Sequence, residues 1–364
     1  MSDPIAFAKQ ALHQIPNLDA VAAELATPAA VLRRVPRPRA GSVPEGAEIM
    51  ADVAVAAPAG AEQVLADGQR AVAKLQQMRD RQQPPPLTPS EQVGLEAVIL
   101  LFGRPALLVQ NGTFPTPPTG WEVLDANRSQ IERSLRSVGR IDLLNRGMVG
   151  TGFLVAPNVV MTNRHVAEVF AIPSDAGDWT FKLGRTPAID YFEENGSNVS
   201  AAFKVRKVIG IHPDVRIDLA LLEVEGVPMP GAPAGFAMPP VLPIAGSEPV
   251  VTAGGDFNVY VVGYPASDNQ GITPPDVLSR IFGNVFEVKR LQPGTMTAIS
   301  TALPRFSHDC STLGGNSGSC VIALDTHEVI GLHFSGGYRE SNFAVSLWKL
   351  AQDPFLLGAG VQFS

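Results

Sequence analysis

Only two cysteines, Cys310 and Cys320, occur in 364 residues. That scarcity argues against a disulfide-stapled secreted scaffold and makes a reducing compartment the expected setting. The opening residues, MSDPIAFAKQALHQIPNLDA, lack the basic start, apolar run and small-residue cleavage site of a secretory leader. A cytoplasmic location is therefore expected. No apolar stretch reaches the roughly 18 residues that cross a bilayer; the longest candidate, Val93 to Phe102, contains Glu96 and reads as a buried helix. No membrane partner is expected. Positive charge is also scarce: Lys and Arg number 28 against 35 Asp and Glu, for a net charge of −7. No basic stripe is left to neutralise a phosphate backbone, so nucleic acid is not an expected partner. The few histidines stand at no metal-ligand spacing with the cysteines, so no metal site and no cofactor are expected.

What is present suits a folded chain rich in turns. Hydrophobic residues make up 45% and charged residues 17%, while Gly (34) and Pro (32) are frequent. That is enough apolar material for a core, with short elements joined by many breaks. Residues 1 to about 35 are alanine-rich and helical in pattern, and VPRPRAGSVPEG follows as a linker. Residues 60–82 form one long helical pattern with Val64, Ala71, Val72 and Leu75 near one face. PPPLTPSEQ breaks it, and Thr88 or Ser90 can cap a further helix running to about Phe102. ALLVQ suggests a short strand, FPTPPTGW a break, and Asp125 to Arg136 one more helix. From about Val138 the pattern changes to apolar runs of four to eight residues, such as GTGFLVAP, FKVRKVIGI, NVYVVGYP and EVIGLHF, separated by Gly, Pro, Asn and Asp. This is the pattern of an all-β sandwich or barrel. The chain thus divides into a mainly α-helical region, 1–137, and an all-β domain, 138–364, α+β overall.

Three strings in the second part carry chemistry. GTGFLVAPNVVMTNRHVAE places His165 after two short strands, RIDLALLEV opens an apolar strand with Asp218, and STLGGNSGSCVI sets Ser317 in a glycine-rich loop before another strand. A serine hydroxyl needs an adjacent base to attack a carbonyl. His165 can take that proton and return it to the leaving amine, and Asp218 can hold the imidazole in the required tautomer. Asp214 is the rival carboxylate. Glycines around Ser317 let the backbone turn sharply, so that the N–H groups of Gly315 and Ser317 can bind the developing oxyanion.

The order His, Asp, Ser and the motifs TNRHV, DLALL and GGNSGS resemble the chymotrypsin-like (trypsin-fold) serine proteases of bacteria over about residues 138–355. The resemblance implies two six-stranded β-barrels, a catalytic triad of His165, Asp218 and Ser317, and a protein or peptide substrate. STLGGNSGS with EVIGLHFSGG is similar to the glutamyl endopeptidases of the V8 type. That similarity implies that Thr312 and His333 help bind a P1 carboxylate, and that Ser335, Gly336 and Gly337 line the pocket and pair with the substrate backbone. It implies cleavage after Glu or Asp. The chain departs from that pattern in its roughly 137 leading residues, in Cys320 where proline is usual, and in an apparently long loop from Ile272 to Leu303 able to cover the cleft. His13, His212, His308 and His327 read as surface or turn residues. The rival reading is a catalytically silent barrel that binds peptides or acts as a scaffold. The helical region is a candidate site for a regulatory protein partner.

Overall fold

The computed structural model describes residues 4–27, 31, 61–81, 86–175, 177–250, 257–267, 285–336 and 341–364. They fall into two compact units. One holds the described residues through Ala106 together with Thr116–Ala126, Val285 and Phe286; the other holds Leu107–Pro115, Asn127–Ser267 and Glu287–Ser364.

The first unit is helical: α1 (Pro4–Gln14), α2 (Leu18–Leu25), α3 (Ala61–Arg81), α4 (Pro89–Val98) and a short α5 (Val123–Ala126). The apolar face expected on α3 is buried, with Ala71, Val72 and Leu75 packed beside Leu95 and Phe102. Thr88 caps α4 in a reciprocal pair: its Oγ1 accepts from Glu91 N–H at 3.2 Å, and Glu91 Oε2 accepts from Thr88 N–H at 2.8 Å. Lys74 of α3 reaches the same carboxylate at 2.6 Å. Where the two helices cross, a Cβ on Gly94 would lie 2.2 Å from Gly68 N, so the backbones touch and only glycine fits. After Val98 the helix widens into a π-turn over Ile99–Gly103. The Gly103 carbonyl accepts from Trp121 Nε1 at 3.1 Å.

The second unit begins with β1 (Leu107–Leu108) and α6 (Arg128–Leu135). The single helix expected from Asp125 to Arg136 is thus two pieces, α5 and α6. Then follow β2 (Val138–Leu143), β3 (Gly147–Ala156), β4 (Val159–Thr162), α7 (Arg164–Phe170) and the hairpin β5 (Ala171–Pro173) with β6 (Trp179–Phe181). β7 (Pro187–Asp190), β8 (Ala202–Ile211) and β9 (Ala220–Val224) complete a closed barrel in the order β2-β3-β4-β9-β8-β7. Ile141, Leu154, Phe203 and Leu222 fill it.

β10 (Phe257–Gly263), β11 (Arg290–Ile299), β12 (Arg305–His308), β13 (Cys320–Ala323), β14 (Val329–Ser335) and β15 (Asn342–Ser346) form the second barrel. Its order is β11-β10-β13-β14-β15-β12, closed by the β11–β12 pairing, with β1 added beside β11. Val259, Val261, Val321 and Ile330 form its core. The fold is α+β overall, with two six-stranded barrels after the helices.

The long loop expected from Ile272 to Leu303 is corrected here, because β11 lies inside it. Pro293 and Gly294 disguise the strand, since proline removes a ladder donor. β11 tolerates them because its second side is paired only at Arg290–Leu291, by β1, and from Met296 onward, by β12. Residues 272–284 of that span lie outside the described residues. Among the described residues, no helix is long and apolar enough to cross a membrane.

Candidate active site

The first barrel brings a histidine and an aspartate together. β4 ends at Thr162, whose Oγ1 donates to Thr151 O of β3 at 2.7 Å. Asn163 precedes α7 but does not cap it with a side-chain bond; its Nδ2 donates instead to Asp218 O at 2.9 Å. That bond ties the start of α7 to the segment before β9. His165 sits in the first turn of α7. Its backbone N–H donates to Asp218 Oδ1 at 3.1 Å, and its Nδ1 lies 2.7 Å from Asp218 Oδ2. A carboxylate only accepts, so Nδ1 carries the proton and Nε2 keeps its lone pair. The imidazole is 48% exposed and the carboxylate 23%, so the pair stands at the surface with its acidic member the more shielded. The rival, Asp214, is occupied by Arg216, whose Nε and Nη2 donate to it at 3.0 and 2.6 Å. The Arg216 side chain and backbone N–H hold the Asp214 carboxyl down at about 2.

The second barrel supplies the serine loop, and its backbone bonds form a definite pattern. Asn316 N–H donates to Leu313 O at 3.2 Å, Gly318 N–H to His333 O at 3.0 Å and Ser319 N–H to Asn316 O at 2.9 Å. Thr151 of β3 donates its Oγ1–H to Gly315 O at 2.9 Å and its N–H to Ser317 O at 2.8 Å. The N–H groups of Gly315 and Ser317, both half-buried residues, make no hydrogen bond among the described residues. Gly315 has φ +85°, and a Cβ there would meet Tyr264 O at 2.5 Å, so the turn requires glycine. A Cβ on Gly150 of β3 would meet Val166 Cγ2 at 2.8 Å and Ser317 O at 3.0 Å. Val166, next to His165, and Ser317 therefore flank the same point of β3. The Ser317 hydroxyl makes no hydrogen bond among the described residues.

Beside this loop, β14 carries His333, whose N–H donates to Ser319 O at 2.9 Å. Its Nδ1 lies 3.1 Å from His308 Nε2. His308 is fully buried in β12, and His212 is 4% exposed with its Nε2 3.2 Å from Asp353. The expectation that these two are surface or turn residues is corrected for His308, which stands inside β12; His212 does lie in the β8–β9 connection, but buried. Strand pairing of β12 with both β11 and β15 encloses His308, and no local pattern in the sequence marks that. Burial lowers His308 to about 3 and holds His333 well below the usual histidine range, with His308 and His165 adding to the effect on His333. His308 Nδ1 is buried without a partner. An orphaned N–H is costlier than an orphaned lone pair. The favoured tautomer therefore has His308 Nε2–H donating to His333 Nδ1, which leaves the proton of His333 on Nε2.

Thr312 and Gly336 join the same corner. Thr312 Oγ1 donates to Asn342 Oδ1 at 2.7 Å, and Asn342 Nδ2 donates to Cys310 O at 2.7 Å. A Cβ on Gly336 would fall 1.9 Å from Asn342 Oδ1 and 3.5 Å from Thr312 Oγ1. Ser335 lies exposed at the end of β14, opposite Phe343 of β15. Gly337 lies outside the described residues. Cys310 and Cys320 are both buried and form no disulfide, and burial pushes the Cys320 thiol up to about 12. Among the described residues no group of three or more His, Cys, Asp or Glu could hold a metal ion. Sequence reasoning missed Asn342, His308 as a partner of His333, and Gln292, whose side chain bonds Asn316.

The paired six-stranded barrels define the class, a chymotrypsin-like fold. Residues 150–332, half of the chain, match the family model of the trypsin-like peptidase domain, and the chain belongs to that family. It is similar to a probable serine protease of Lysobacter enzymogenes, with 29% identity over 319 residues, covering 79% of this chain and 80% of the relative. Among solved structures, Deg5 matches at 18% identity over 64% of this chain and 94% of its own, with a TM-score of 0.42. The active form of the Rv3671c protease from M. tuberculosis matches at 20% identity over 66% of this chain and 87% of its own, with a TM-score of 0.40.

Proposed function

We propose that the protein is a serine endopeptidase working through an acyl-enzyme. Ser317 Oγ attacks the scissile carbonyl while His165 Nε2 takes its proton. The same nitrogen then protonates the leaving amine, and water repeats the sequence to release the acyl group. Asp218 accepts from Nδ1–H throughout and steadies the imidazolium. The unpaired N–H groups of Gly315 and Ser317 receive the oxyanion, each contributing roughly 3–4 kcal/mol in the transition state. The observation that carries this reading is the 2.7 Å contact of His165 Nδ1 with Asp218, which leaves the basic nitrogen free. A missing His165–Ser317 hydrogen bond is compatible with it, since such contacts tighten when substrate binds.

The proposed preference is Glu or Asp at P1. The tautomer argument gives His333 an Nε2–H donor, which suits a carboxylate. Thr312 already donates its proton to Asn342, so it reaches a substrate carboxylate only by exchanging that bond. Ser335, Gly336 and Gly337 are proposed to pair with the substrate backbone. The helical region is proposed to regulate the peptidase or recruit a protein partner, in the cytoplasm.

A fluorophosphonate probe and a mixed peptide library, applied to the protein and to Ser317→Ala, test the reading. Labelling and cuts after Glu, both lost in Ser317→Ala, are expected. Cuts after other residues would retain the triad and remove the His333 assignment. A folded protein that neither reacts nor cuts would be the silent barrel. Removing residues 1–106, which leaves β1 in place, is expected to change the labelling rate; an unchanged rate would refute regulation by the helices.

A further inference from the structure

The glycine-rich loop is held from inside the second barrel by one side chain that the proposed chemistry does not touch. Gln292 of β11 stands directly opposite Val261 of β10, a core residue, so both side chains lie on the same, inward face. Gln292 is fully buried, and so is Asn316, the residue between Gly315 and Ser317. Their amides bond each other in both directions: Gln292 Nε2 donates to Asn316 Oδ1 at 2.9 Å, and Asn316 Nδ2 donates to Gln292 Oε1 at 3.4 Å. Asn316 Nδ2 also donates to Leu313 O at 3.2 Å. The space for this pair is cleared by Gly263, where a Cβ would lie 2.5 Å from Asn316 Oδ1 and 2.0 Å from Ser319 Oγ. Two side-chain amides inside an apolar barrel are stable only while they satisfy each other.

We propose that Gln292 is a positioning residue: by locking the Asn316 amide it fixes the backbone from Gly315 to Ser317, so that the two unpaired N–H groups converge on one point. The inference rests on the reading of Ser317 as nucleophile. Thr151 anchors the loop from the first barrel by the carbonyls of residues 315 and 317. Gln292 anchors it from the second by the side chain of residue 316. With one anchor gone the peptide planes can rotate, and the donors lose their common target while the substrate-binding strand β14 is untouched.

The predicted signature is a loss in kcat without a matching rise in KM. Gln292→Leu is expected to lower kcat and the rate of fluorophosphonate labelling about 10- to 100-fold, with KM within about threefold and the barrel folded by circular dichroism. Gln292→Glu is the second variant. Its introduced carboxyl, kept protonated by burial, can donate to Asn316 Oδ1 and accept from Nδ2 as glutamine does. It is expected to restore most of the rate at neutral pH and to lose it as the carboxyl ionises, giving a fall on the alkaline side that the wild-type protein lacks. Labelling of Gln292→Leu within twofold of wild type, or a Gln292→Glu profile parallel to wild type from pH 6 to 10, would overturn the proposal. A wild-type protein that is itself unlabelled would overturn the reading beneath it instead.

Discussion

Asp218 makes two bonds to one residue, to the His165 backbone and to its ring. That double contact fixes the position of α7 and the tautomer of its histidine together. In Asp218→Asn the amide oxygen can still accept from the His165 backbone N–H, while the amide nitrogen offers the ring an N–H donor, which favours the tautomer with its proton on Nε2. The expected result is a fall in kcat of roughly 10,000-fold with the unfolding midpoint little changed, read by steady-state kinetics beside a melt. A fall of less than tenfold would argue that Asp218 does not orient the base. His165, Asp218 and Ser317, the proposed triad, stood out as candidates because each lies in a local string with its own turn and strand. Gln292 and Asn342 were not: their partners Asn316 and Thr312 are 24 and 30 residues away, and only strand pairing makes them neighbours. His308 was hidden for the same reason.

Elements were readable where they signal themselves at their ends. α4 was announced by the PPPLTPSEQ break with Thr88 or Ser90 as its cap; Thr88 is the one that caps, in reciprocal bonds with Glu91. Thr88→Ala removes the Oγ1 acceptor of Glu91 N–H and is expected to cost the helical unit about 1 kcal/mol, measured from its urea unfolding curve. A loss below a few tenths would mean that Lys74, which grips the same Glu91 carboxylate, carries the α3–α4 junction alone. In the first barrel β3, β4, β8 and β9 were equally plain, because apolar runs alternate there with turn residues, whereas β2 and the four-residue β7 were not singled out. β11 was not, because its proline and glycine read as a break while its second side, unpaired by β1 or β12 at those residues, tolerates them. α5 and α6 were merged in the sequence because Asn127 between them is a weak stop.

At the scale of the whole molecule, the buried imidazoles make stability depend on pH. His308 is held at about 3 and His333 well below its ordinary value, against 6.5 in the unfolded chain. The unfolded state therefore binds more protons below pH 6.5, so this stability is present in full above 6.5 and drains away as pH falls toward 3. The unfolding free energy from urea curves is expected to drop between pH 7 and pH 5, by on the order of 2 kcal/mol for one such histidine. His308→Gln should flatten the dependence, and an equal drop in that variant would exclude His308 as its source. The division of the chain was only partly legible, because Leu107–Pro115 lies with the barrels although helical-unit segments flank it on both sides. Its strand β1 pairs with Arg290 and Leu291, about 180 residues later in the chain. A ribosome adding about 5–20 residues per second releases β1 on the order of ten to forty seconds before its partner exists. Ser317 follows His165 by a similar delay. The nascent chain thus carries His165 without Ser317 while roughly 150 residues are added, and the proposed hydrolysis can begin only after β13 and β14 have left the ribosome.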